Sequence, residues 1–179
     1  MELRPAEIED LAACAAIPPA VTSSHVWQLT LNRDPSASLA TSEFGMTLRC
    51  LRLPRAVTIT PPGAPLEVIW KRASAMFVAA DEETVAGFVV LTDAEELRAA
   101  TVARLVVAPE ARRHGIGTAL LRLAARWAAA EGLQSLVSHC AARNHPAVAF
   151  YTRSGFTFTG YSESYYPRGE VALLWQRSV

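Results

Sequence analysis

Residues 105–118 read LVVAPEARRHGIGT: an apolar run passes through proline and charge to two glycines one residue apart, and an Ala/Leu-rich segment follows at once. A strand entering a helix through such a loop gathers several backbone N–H groups at the helix start, none with an intrahelical acceptor. Gly115 and Gly117 allow that backbone to come close to a phosphate, and the helix dipole adds favourable potential. Arg112, Arg113 and His114 add positive charge to the same loop. The chemistry on offer is anion binding. A glycine pair also makes a plain strand-to-helix turn, and neither the third glycine of the dinucleotide fingerprint nor the Gly-Lys-Ser/Thr ending of a P-loop is present.

A second segment, NHPAVAFYTRSGFTFTG at 144–160, narrows the choice. Asn144, Ala147, the pair Phe150-Tyr151 and the pair Gly155-Phe156 follow Arg112, Gly115 and Gly117 in order, about thirty residues on, with a helix and a strand between. Together the two segments resemble the GCN5-related N-acetyltransferase superfamily, firmly over residues 76–162 and weakly before them. The resemblance implies an α/β fold with a central mixed, mostly antiparallel sheet flanked by helices. It also implies an enzyme that moves an acetyl group from acetyl-coenzyme A to a primary amine by direct attack in a ternary complex. Leu105, Val106 and Val107 would form a splayed strand pairing with the pantetheine arm. Residues Arg113 to Thr118, that is Arg113, His114, Gly115, Ile116, Gly117 and Thr118, would wrap the pyrophosphate with their N–H groups, with Arg112 in the same motif. Asn144 would contact the cofactor and Tyr151 would stand beside its sulfur. A phenol with a pKa of about 10 stays protonated at neutral pH and can protonate a leaving thiolate. A backbone N–H on strand 105–107 would stabilise the developing oxyanion.

Plainer roles stand beside these. Tyr151 could simply pack a short helix on a sheet, and Asn144 suits a helix N-cap, a role compatible with cofactor contact. His139 reads as a core or sheet-face residue and His145 as a surface residue at a helix start. His25 and Trp27 are candidates for the acceptor side, with Trp packing as the alternative. Glu163 and Glu170 are candidate bases or acceptor contacts, with a solvated turn as the simpler reading. TVARLVV carries no carboxylate, so no general base is assigned. Cys140, on an interior strand, reads as inert packing rather than a nucleophile. The alternative from another class is a non-catalytic acyl-coenzyme A sensor, which would have no need of Tyr151.

These residues must be positioned by a mixed α/β order. A short strand is expected over 2–4, then a helix in PAEIEDLAACAA starting near Pro5, with Ile8, Leu11 and Ala15 on one face. SSHVWQLTLNRDPSASL reads as helix or loop, and MTLRCLRLPRAVTIT as one or two strands interrupted at Pro54. PPGAP is a turn. MFVAADEETVAGFVVLTD reads as a hairpin, and RAATVARLVVAP as a strand buried on both faces. A helix follows in GTALLRLAARWAAAEG, with Leu120, Leu121, Ala124, Trp127 and Ala128 inward and Gly132 at the C-cap. LQSLVSHCAA is a strand, HPAVAFYTRSG a short helix, and the last segment a strand pair joined through Pro167-Arg168-Gly169.

The 179 residues are most simply one domain, with 21–65 as a variable acceptor-side region, an arm or a homodimer contact. Seventeen basic and seventeen acidic residues cancel, so no global field favours nucleic acid or a membrane. Cys14, Cys50 and Cys140 form no disulfide framework or zinc pattern, which fits a reducing cytoplasm and no metal. An acidic N-terminal stretch broken by Pro5 is unlike a targeting peptide. The acceptor, a small-molecule or peptide amine, is not readable from the residues.

Overall fold

The computed structural model describes residues 1–33, 44–82, 84–94, 98–166 and 169–179. Seven strands form one sheet in the order β1-β4-β5-β6-β7-β9-β8: β1 (Glu2–Pro5), β4 (Ala75–Ala80), β5 (Val85–Ala94), β6 (Ala99–Val107), β7 (Ser135–Ala141), β9 (Ala172–Ser178) and β8 (Thr157–Ser162). Only β6 and β7 pair in parallel, across the helix α3 (Ile116–Ala130); every other pair is antiparallel. The mixed, mostly antiparallel sheet expected from the sequence is therefore present.

Both faces of the sheet are covered, which is why its central strands read as unbroken apolar runs. Phe77 and Ala79 of β4, with Val89 and Leu91 of β5, face α3, whose Leu120, Leu121, Ala124 and Ala128 are fully buried. Met76, Val78, Ala80, Phe88 and Val90 alternate to the other face. There they meet Cys14 of α1 (Asp10–Ala16) and Leu66 of α2 (Leu66–Trp70). Val102 and Val106 of β6 go to opposite faces, although residues four apart on a regular strand share one, because Ala103 is an extra residue between them. Gly132 closes α3 with φ +73°, a conformation suited to glycine.

The N-terminal part departs from expectation in two places. α1 begins at Asp10, not near Pro5, and Ile8 stays outside it, 62% exposed. The Asp10 carboxylate accepts two hydrogen bonds from the Arg4 guanidinium (2.7 and 2.8 Å) and one from the Glu7 N–H (2.8 Å). That network holds residues 6–9 in a turn and delays the helix. The second departure is SSHVWQLTLNR, expected as helix or loop, which is strand β2 (Val21–Arg33) paired with β3 (Phe44–Ile59) in a separate ribbon. Trp27, Leu29 and Leu31 alternate with Val26, Gln28 and Thr30, and cross-strand pairing with Cys50, Leu48 and Met46 selects the extended form. Pro54 does not end β3. The register jumps from Ser23↔Val57 to His25↔Arg52, so residues 53–56 bulge opposite Ser24 and the proline needs no ladder donor there. Residues 34–43, the end of the helix-or-loop stretch, and the Pro167-Arg168 connection lie outside the described residues.

Arg4 holds the Asp10 carboxyl below its ordinary value, chiefly through its hydrogen bonds, with the Glu7 N–H adding to the effect against a smaller cost of burial. A depressed carboxyl stabilises the fold at pH values above about 3.9 and loses that contribution as pH falls through its folded value. Asp10→Asn is expected to lower Tm by ~2–4 °C at pH 7, and the gap to the wild type should close below pH 4. Thermal unfolding across pH checks this; a gap that does not narrow as pH falls from 4 into the acid range would mean that the ion pair is not its source.

Candidate active site

The site begins where β6 leaves β7. Their parallel pairing is confined to Ala99–Thr101 with Ser135–Val137. Immediately afterwards β6 bulges: Leu91 pairs Val102 and Val90 pairs Arg104, leaving Ala103 as an extra residue. A bulge bends and twists its strand, and beyond it β6 stays with β5 while β7 stays with β9. The Ala108 N–H donates to Ala86 O on the β5 side (2.9 Å). By strand alternation Val106 turns its peptide groups to β5, whereas Leu105 and Val107 present theirs to the gap. The expected splayed strand thus offers backbone at Leu105 and Val107, and Val106 offers only its side chain to the cavity. Arg112 fixes this end of the strand: its Nε donates to Val107 O (2.9 Å) and its Nη2 to Pro18 O (3.3 Å). Its guanidinium thereby serves the loop more than a ligand.

Beyond Arg112 the chain turns into α3 with positive φ at Arg113 (+70°) and at Gly115 (+84°), the N-cap. Left-handed residues in such turns point successive amides into one concavity. Ala119 is the first amide to reach a backbone acceptor, Gly115 O at 2.9 Å. Among the described residues the amides of Arg113, His114, Gly115, Ile116, Gly117 and Thr118 take none. Ile116 is buried in the core, so only its N–H belongs to the site. Gly117 is needed for space: a Cβ there would lie 3.2 Å from the Phe150 ring and 3.7 Å from Leu105.

A cavity of about 570 Å³ runs through the gap between β6 and β7. Tyr151 enters it from α4 (His145–Arg153), 7% exposed and enclosed by Phe150, Phe156 and Trp175 at centroid distances of 5.6, 5.2 and 6.4 Å. Its oxygen accepts a 2.7 Å hydrogen bond from Ser138 Oγ of β7, which leaves the phenolic proton to be donated elsewhere. Burial pushes the phenol up to about 12, against the opposing Ser138 bond. It is therefore protonated throughout the neutral range. Asn144 lines the same cavity and caps α4, with its Oδ1 accepting from the Ala147 N–H at 3.2 Å. Its Nδ2 donates to nothing else among the described residues.

Several sequence candidates fall elsewhere. His25 and Trp27, read as acceptor-side candidates, do not line the cavity. The Trp27 indole N–H donates to His145 Nδ1 (3.2 Å) and the His25 ring lies 4.9 Å from that of His145, so the ribbon is pinned on α4. His145 is accordingly half-buried rather than a surface residue. Glu163 is exposed and outside the cavity. Glu170 lines it, with Oε1 2.5 Å from Arg143 Nε in an ion pair lacking hydrogen-bond angles. Cys140 is buried and its thiol is pushed up to about 12 by burial, which disfavours a thiolate nucleophile. The sequence reading missed Ser138, which only the alternation of β7 places under Tyr151, and Tyr166, hidden in a turn-like SESYYPRG. No group of three metal-ligating side chains occurs, and no helix is long and apolar enough to cross a membrane, among the described residues.

Residues 47–156 match the family model of the acetyltransferase (GNAT) family. A nourseothricin acetyltransferase structure is 30% identical, with 99% of this chain and 97% of that one covered and a TM-score of 0.81. A protein of Bacillus anthracis str. Ames, assigned as a streptothricin acetyltransferase and solved with acetyl coenzyme A, is 21% identical, with 100% and 99% covered and a TM-score of 0.77. An aminoglycoside 6'-N-acetyltransferase with coenzyme A shares the fold at 16% identity, with 63% and 77% covered and a TM-score of 0.57. No curated protein matches the sequence.

The two glycines of the loop should separate by mechanism. At Gly115 a Cβ meets nothing within 4 Å, so Gly115→Ala costs only its left-handed backbone, about 1 kcal/mol, or ~2–4 °C in Tm. Arg113→Gly, at the other left-handed position, should leave Tm unchanged or raise it. Scanning calorimetry decides, and a neutral Gly115→Ala would contradict the strained turn.

Proposed function

The chain belongs to the GNAT acetyltransferase family, and from that premise we propose that it moves the acetyl group of acetyl-coenzyme A to a primary amine of a streptothricin-class acceptor. The observation that carries this reading is the parted β6–β7 edge, which leads from a cluster of free amides to a protonated Tyr151. The acceptor class rests on a nourseothricin acetyltransferase 30% identical over nearly the whole of both chains, and a protein assigned as a streptothricin acetyltransferase among the structural neighbours agrees with it.

Bound acetyl-coenzyme A supplies an activated thioester, and this chain's residues fit it. Leu105 and the Val107 N–H offer an open strand edge, to which the amides of a pantetheine arm can add like another strand, the Val107 carbonyl being held by Arg112. The amides of residues 113–118 would hold the pyrophosphate at the start of α3, where Gly117 lets the first turn pack on the Phe150 ring and Leu105. The Asn144 Nδ2 adds a donor. The free amides along the gap also supply donors for a thioester oxygen that gains charge. Ser138 holds the Tyr151 oxygen, so the phenolic proton is available to the departing sulfur. Arg104 is the cation of the acceptor side, and its Nη2 is engaged by Ala64 O at 2.9 Å. Glu67 and Glu170 bring carboxylates to the same lining, which suits an acceptor bearing ammonium groups.

The test pairs binding with turnover. Calorimetry should show acetyl-coenzyme A binding to the wild type and none to Gly117→Trp. Thiol release should depend on amine over nourseothricin, an aminoglycoside and a peptide with a free α-amine, and be fastest with nourseothricin. Tyr151→Phe is expected to lower kcat by ~10²-fold or more with acetyl-coenzyme A affinity within about twofold. Binding without release for any amine would favour a sensor of acyl-coenzyme A instead.

A further inference from the structure

The sequence supplies no carboxylate on β6 to take the proton that an ammonium must lose before it can attack. The opposite face of the gap holds a different pair. Successive residues of β7 point to opposite faces. Ser138 turns to α4 and Tyr151, so His139 turns to the face of α1 and α2, where it lines the cavity. Its Nδ1 lies 2.7 Å from the Tyr166 hydroxyl, in the segment before β9, and Tyr166 lines the same cavity. The Tyr165 ring covers His139 at 4.2 Å between centroids and shields the imidazole. The thioester would reach the gap between Tyr151 and this pair, with an amine arriving from the side of residues 61–67 and Arg104.

We propose that Tyr166 and His139 form the proton relay that deprotonates the acceptor ammonium. This rests on the acetyl-transfer reading and assigns the base that reading lacks. The ammonium N–H is given to Tyr166 Oη as the Tyr166 O–H proton passes to His139 Nδ1, leaving a neutral amine, a neutral phenol and an imidazolium. The amine lone pair then forms the bond to the acetyl carbon, the carbon–sulfur bond breaks, and the sulfur takes the Tyr151 proton. The acetylated nitrogen's remaining extra proton returns to solvent, as does that of His139, and Tyr151 is reprotonated from solvent. The sum is one ammonium and one thioester giving one amide, one thiol and one released proton.

The electrostatic surroundings suit the assignment. Burial lowers His139 and raises Tyr166, so a neutral imidazole faces a protonated phenol. The titratable and charged groups around the pair are Tyr165 beside it, Glu170 with its partner Arg143, Cys140 next along β7, Tyr151 through the gap and Arg104 across it. Neutral His139 accepting from a phenol must carry its own proton on Nε2.

The experiment measures thiol release from acetyl-coenzyme A with nourseothricin, or with whichever panel amine is turned over fastest, from pH 6 to 9.5, for the wild type, Tyr166→Phe and His139→Gln. Both variants should lose ~10²-fold in kcat/KM for the amine at pH 7, and the loss should shrink at least tenfold towards pH 9.5 as free amine accumulates. Acetyl-coenzyme A affinity by calorimetry should stay within about twofold. A loss independent of pH, or full activity in Tyr166→Phe, overturns the relay and leaves the acetyl-transfer reading intact. Wild-type binding without turnover of any amine removes both. Should His139→Gln fail to fold, imidazole nitrogen NMR of the wild type still decides: a neutral ring protonated on Nε2 supports the relay, and one protonated on Nδ1 overturns it.

Discussion

β6 and β7 share three residues of parallel pairing and then separate, and the rest of the site depends on that separation. A sheet interior normally satisfies every backbone N–H and C=O, and leaving such groups buried without partners is costly. Here the cost is avoided because the gap opens into a cavity, where solvent or a ligand can reach the exposed edge. The extra residue Ala103 bends β6 at the point of parting. Arg112 then ties the far end of β6 to Pro18, beyond α1, so the opening is held at both ends.

The opening passes through the sheet, and the proposed reading gives each substrate its own face. On the α3 and α4 face stand the free amides, Gly117, Asn144 and Tyr151. On the α1 and α2 face stand Arg104, residues 61–67, His139 and Tyr166. Adjacent residues of β7 serve the two sides: Ser138 holds Tyr151 and His139 meets Tyr166. One strand's alternation therefore sets the proposed proton donor and the proposed proton acceptor on opposite faces of the sheet. The ribbon of β2 and β3 meets the site at Ile59, which lines the cavity, and through Trp27 on His145, one residue after Asn144.

The strand-to-helix turn of the proposed cofactor side was legible because its requirements are local. A strand-to-helix turn with free amides needs glycine at fixed offsets, and Gly115 and Gly117 announce it in sequence. The helix α3 and the β4–β5 hairpin were equally readable from apolar periodicity and turn residues. The acceptor side was not, because its residues meet only in three dimensions. His139 looks like any half-buried strand residue until Tyr166, 27 positions away, closes on it. The ribbon was misread although Trp27, Leu29 and Leu31 alternate with Gln28, Thr30 and Asn32, because the polar residues 23–25 before them and DPSAS after them read as loop. Pairing with β3 decides its form, and Pro54 escapes its usual veto by sitting in a bulge. α1 starts late for a similarly distant reason, the grip of Arg4 on Asp10.

Residue-resolved amide hydrogen exchange, with and without acetyl-coenzyme A, tests the parted edge most directly. The account predicts that binding slows exchange at Leu105, Val107 and residues 113–118, while Arg104 and Val106, already paired to β5, change little. Unchanged exchange along Leu105 and Val107 in a protein saturated with the cofactor would contradict it, because the ligand would then lie elsewhere.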